Sequence, residues 1–209
     1  MEKKEYFQLI AGIIFHPAVT FRQIKRKRDQ MRWPFAIVVF VLFTIVYVLS
    51  RLLVHFPFTT VDVRQANFMM DITTILVPVA SWVLIAYLMS SILNGEMKLK
   101  EFTIATAYSL IPATALLGPL TLLSYLMENG QAFFYYGAIS ALLIWTILLF
   151  LGSFKVLNDY ETGPFIKGVL CSLLAMVVVW CIVFLLYAIV QQMFGVIGSV
   201  FAEIRLLGK

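Results

Sequence analysis

Five apolar stretches, each long enough to cross a bilayer and none with a charge at its middle, constrain this chain more than any other feature. They run over Pro34–Val54, Ile72–Ile92, Phe102–Leu126, Phe133–Phe154 and Val169–Phe194. At about 1.5 Å of helix per residue, a stretch of this size matches a hydrocarbon core of about 30 Å. In lipid every backbone N–H and C=O must be satisfied within the segment, so the expected fold is all-α, a polytopic membrane helix bundle of about five transmembrane helices. Composition agrees: 62% of the 209 residues are hydrophobic and 13% are charged. A soluble domain carries about 25% charged residues. The first apolar run is long enough to stay in the membrane as an anchor, unlike a cleavable leader.

The division expected is a basic amphipathic segment, 1–33, a five-span membrane domain, 34–194, and an amphipathic tail, 195–209. Eight of the sixteen Lys and Arg precede residue 34. Beside a membrane span such a run points to anionic lipid headgroups, and not to nucleic acid. The segment starts with apolar residues at helical spacing, is interrupted at His16-Pro17, and resumes. Phe21 and Ile24 then face one way, with Arg22, Lys25, Arg26 and Arg28 around them. An apolar stripe in a cationic surround suits the headgroup plane, so Phe21, Arg22, Lys25, Arg26 and Arg28 are candidate lipid-surface residues.

Orientation follows from the basic residues in the connections. Lys98, Lys100, Lys155 and Lys167 fall in the second and fourth connections and join the N-terminal eight on one side. Arg51, Arg64, Arg205 and Lys209 fall on the other. The N-terminus is therefore expected in the cytosol and the C-terminus outside. Pro112, Gly118 and Pro119 are the weak point, because they could kink or break the third span. If that span failed to cross, every later loop would change sides.

Chemistry is expected to be sparse. Ionisable residues in mid-membrane mark ion and proton pathways, and these spans have none. Arg51 is near a helix end and can snorkel, and Asp71 suits a helix start. His16 and His55 fall on opposite sides, without a Cys or second His at metal-ligand spacing. Phosphate-loop, HExxH and nucleophile-elbow motifs are lacking. Cys171 and Cys181 lie ten residues apart on one helix, about 15 Å and too far to bridge. The chain is expected to be no enzyme and to need no cofactor or metal. Its many Thr and Ser residues suit helix packing better than a permeation path. The inside loops hold the candidate partner contacts: Asn94 and Gly95 in one, Asn158, Asp159 and Tyr160 in the other. They also share a loose repeat, Leu93-Asn94 then Phe102 in one, Leu157-Asn158 then Phe165 in the other, as in two helical hairpins of one orientation.

Several stretches resemble bacterial members of the YIP family of integral membrane proteins. They are FHPAVTF (Phe15–Phe21) with the basic run after it, Leu93-Asn94-Gly95, AYSLIP (Ala107–Pro112), FKVLNDYETGPFIKGV (Phe154–Val169) and the tail FAEIRLL (Phe201–Leu207). The resemblance implies a five-helix membrane domain with a cytosolic N-terminus. Eukaryotic relatives associate with small GTPases, but their DLYGP motif is missing here. Some bacterial relatives look like companions of carbohydrate ABC importers. This implies a non-enzymatic accessory or scaffold protein of the plasma membrane, bound to other integral membrane proteins such as importer permeases. The alternative is a small stand-alone transporter or a lipid-handling protein.

Overall fold

The computed structural model describes residues 3–27, 31, 33–55 and 68–207, with side chains placed over 8–27, 31, 33–55, 68–128 and 130–193. Arg28 lies outside the described residues. So do the side chains of the tail. Among the described residues there are seven α-helices and no strand. They are α1 (Lys3–Phe15), α2 (Pro17–Arg26), α3 (Trp33–Leu53), α4 (Phe68–Ile92), α5 (Leu99–Leu123), α6 (Ala132–Leu157) and α7 (Thr162–Leu207). The five from α3 to α7 are long and apolar enough to cross a membrane.

The third span does not break. Pro112 and Pro119 sit inside an unbroken α5, which tightens to a 3₁₀ turn only at Ser124–Leu126. Every residue from Ile104 to Leu110 is buried, and a helix buried all round belongs at the centre of its bundle. α3 and α6 flank it, and α4, α1 and α2 also touch it.

The apolar stripe of the N-terminal segment packs on protein and does not face lipid. Phe21 is 1% exposed and Ile24 is fully buried. α2 lies along α6, and Phe21 Cε2 would be 3.9 Å from a Cβ at Gly152. Leu9 and Ile13 of α1 are buried with them. The corner between α1 and α2 is tight. Thr20 Oγ1 donates to the His16 carbonyl at 3.1 Å, and a Cβ at Gly12 would come within 2.6 Å of that hydroxyl. The outer face carries exposed Phe15, Val19, Arg22 and Arg26.

The last span differs most from expectation. α7 starts at Thr162, with Pro164 in a first turn whose N–H groups have no helical partner, and it runs on to Leu207 with no break at 194. Its 46 residues make about 69 Å of helix, over twice a hydrocarbon core. α7 rests mainly on α4, and Trp180 Nε1 donates to Ser81 Oγ at 3.3 Å. Every side chain from Val177 to Met193 is exposed.

Arg51 and Asp71 were expected to act separately, one snorkelling and one opening a helix. Instead they form an ion pair between the end of α3 and the first turn of α4. At the same end the His55 backbone N–H donates to Ser124 Oγ at 3.1 Å, and the His55 and Tyr125 rings lie 5.0 Å apart.

Candidate functional site at the loop end of the bundle

α4 and α6 end in the same way. Each closes on a residue of positive φ, Asn94 at 55° and Asp159 at 50°. In each, the next backbone N–H reaches back five residues, Gly95 to the Ser90 carbonyl at 2.8 Å and Tyr160 to the Lys155 carbonyl at 3.2 Å. This is the αL cap that satisfies the last carbonyls of a helix, and Asn tolerates it well because its short side chain bonds locally. The caps pair Asn94 with Asp159, one residue along from the Asn94–Asn158 match that the sequence suggests.

The two loops then lock into one another. Asn158 is 4% exposed. Its Oδ1 accepts from Ser90 Oγ at 2.5 Å and from the Met97 backbone N–H at 3.3 Å, and its Nδ2 donates to the Phe154 carbonyl at 3.0 Å. Tyr160 Oη donates toward the Ser90 and Leu93 carbonyls, both at 3.4 Å. Burial holds the Tyr160 hydroxyl above the ordinary tyrosine pKa, against a smaller opposing effect of its bond to Ser90. It therefore stays a neutral donor. Gly95 sits where three side chains meet. A Cβ there would overlap Ser90 Oγ and Asn158 Oδ1 and come within 2.6 Å of Tyr160 Oη. Beside the cluster, the rings of Trp82, Phe102 and Phe154 meet tilted or edge-on, with centroids 6.2–6.3 Å apart.

Lys25 of α2 ties both loops to the N-terminal helices. Its Nζ lies 2.9 Å from Glu96 Oε2 and 2.5 Å from Asp159 Oδ2. Burial works against its charge, but the hydrogen bonds and charges of Asp159 and Glu96 outweigh this and hold it above the ordinary lysine pKa.

The five candidate contact residues thus come together, but Asn158 and Tyr160 are turned to internal contacts. Asn94 is exposed, and Asp159 is engaged by Lys25. Of the candidate lipid-surface set, Arg22 and Arg26 are exposed, Phe21 is core and Lys25 is an ion-pair centre. Ser90, Met97 and Glu96 complete the cluster and were not singled out, because only the fold brings them within reach of Asn158 and Lys25. Glu101 lies buried in the first turn of α5. Among the described residues no group of three or more His, Cys, Asp or Glu is placed to hold a metal.

A family model, the Yip1 domain, matches residues 11–183. The chain belongs to the Yip1 domain family. The match begins within α1 and ends within α7, so the whole loop cluster and all of α2 lie inside the Yip1 domain. The last helical turns after residue 183, including the FAEIRLL stretch, lie beyond it. No curated protein and no solved structure matches the chain.

Proposed function

We propose that this Yip1 domain protein is a non-enzymatic accessory protein of the bacterial plasma membrane that binds other integral membrane proteins. The observation that carries the reading is α7. It leans on one side of the bundle, exposes every side chain from Val177 to Met193, and continues for more length than one bilayer can cover. Such a rod offers a second membrane protein a long apolar face inside the lipid and a helical extension beyond it. The loop cluster and α1–α2 face the cytosol in this reading, because the basic residues concentrate at their end. The resemblance makes importer permeases the first partners to test.

A stand-alone solute transporter fits less well. The span hydroxyls of Thr44, Thr73, Thr74, Ser109, Thr114 and Thr146 all donate to carbonyls of their own helices, so they do not line a hydrated path.

The test is photo-crosslinking in native membranes, with a reactive amino acid at Val178 or Leu185 of α7 and, for comparison, at Leu143 of α6. Adducts to one integral membrane protein from α7 but not from α6 are expected. Adducts to lipid alone at both α7 positions would overturn the proposal.

A further inference from the structure

α3 and α4 are consecutive helices, yet they part and leave a groove of about 740 Å³ lined by α3, α4 and the start of α5. Ile37 and Val41 form one wall, Leu76 and Ala80 the other, and Leu99 and Thr103 of α5 close one end beside Trp33. Thr44 and Thr103 also line it, and each hydroxyl donates to its own helix, to the Phe40 and Leu99 carbonyls at 2.8 Å. The groove makes no demand for a polar occupant. Along α3 it extends from Trp33 to Ile45, about 18 Å of helix, a little more than one leaflet of a core about 30 Å thick.

The end at Leu99 is flanked by Lys98 and Lys100, both with solvent access. Glu96 is engaged by Lys25, and Glu101 is buried in the first turn of α5. Trp33, 43% exposed, sits at the same level, where an indole suits the headgroup boundary. An apolar slot one leaflet deep with a cationic rim is complementary to one kind of molecule. We propose that the groove binds one acyl chain of an anionic phospholipid, whose phosphate headgroup is held by Lys98 and Lys100. This goes beyond partner binding and does not depend on it.

The test uses the full chain in nanodiscs made of equal phosphatidylglycerol and phosphatidylcholine, extracted into mild detergent and weighed by native mass spectrometry. The wild type is expected to retain one phosphatidylglycerol in preference to phosphatidylcholine. Replacing Lys98 and Lys100 by Gln reduces that preference roughly fivefold for each charge removed, while lipid is still retained. Ala80→Trp and Val41→Trp fill the groove from opposite walls, so the retained lipid is lost. Ala188→Trp, on the exposed face of α7, keeps it. Monodisperse elution is required of each variant, and two walls guard against one misfolded protein. Equal retention of the two lipids by the wild type overturns the proposal. So does retention by both wall variants that matches Ala188→Trp.

Discussion

Replacing Gly95 by Ala tests whether the loop cluster holds the bundle together. No glycine among the described residues has a positive φ, so the cost at Gly95 is not backbone strain. It is steric. The added methyl would overlap Ser90 Oγ and Asn158 Oδ1 and press on Tyr160 Oη at 2.6 Å. These are side-chain ends, but the Asn158 amide is fixed by bonds to Ser90, Met97 and Phe154. To admit the methyl, Asn158 must leave the Ser90 hydroxyl and the Met97 N–H, and both residues are buried. An orphaned buried donor costs about 1–3 kcal/mol, so two give roughly 2–6 kcal/mol. Equilibrium unfolding by SDS titration in mild-detergent micelles, followed by circular dichroism, reads this loss directly. The same substitution in a Ser90→Ala background meets one obstacle fewer and orphans one donor fewer. Its cost should fall by about 1 kcal/mol or more in the double-mutant cycle. A Gly95→Ala protein within about 0.5 kcal/mol of wild type would refute the reasoning, as would equal cost in both backgrounds.

Phe21→Ala should destabilise the detergent-solubilised protein by about 3–5 kcal/mol if Phe21 is core, whereas a headgroup-facing Phe21 would leave unfolding unchanged. Arg51→Ala leaves the mostly buried Asp71 carboxylate without its cation and should cost about 2–3 kcal/mol, most of it recovered by adding Asp71→Asn. That recovery is the discriminating measurement. Lys25→Met should cost about 1 kcal/mol or less, because Glu96 and Asp159 are largely exposed. The folded-state pKa of Lys25 is raised, so its contribution is whole below the ordinary value of 10.5 and is lost as pH rises through the folded value. The gap between wild type and Lys25→Met should therefore close in alkaline unfolding titrations, and a gap that widened there would contradict the ion-pair reading.

The spans were legible because lipid imposes a length and a composition that apolar runs report directly. Their edges were less so. α4 begins before Asp71 and α7 before Lys167, because a polar residue near the start of a membrane helix is stabilised by the pairing it finds, Asp71 with Arg51, or by reaching the surface. The N-terminal segment was read correctly as two helices with an apolar stripe. What the stripe meets is a tertiary fact: periodicity shows that Phe21 and Ile24 share a face, but headgroups and the flank of α6 reward that face alike. The loops show the reverse. Asn94-Gly95 was visible as a turn and Asn158-Asp159 as part of a polar loop, but the sequence has no sign that the amide of the second loop bonds into the first.

That interlock also bears on how the chain threads the membrane. The parity of the topology hung on whether a span with Pro112, Gly118 and Pro119 crosses fully. Lys25 touches the α4–α5 loop at Glu96 and the α6–α7 loop at Asp159 at once. Both loops lie at the end that carries α2, so α5 and α6 together run the length of the bundle and return. Four lysines of these stretches, Lys98, Lys100, Lys155 and Lys167, are thereby drawn to the end that already holds Arg22, Lys25 and Arg26. Charge sorting and a single ion-pair centre are independent constraints, and they group the same loops at one end of the bundle. A reversed order of loops would need the ammonium of Lys25 to reach one carboxylate through the thickness of the bundle.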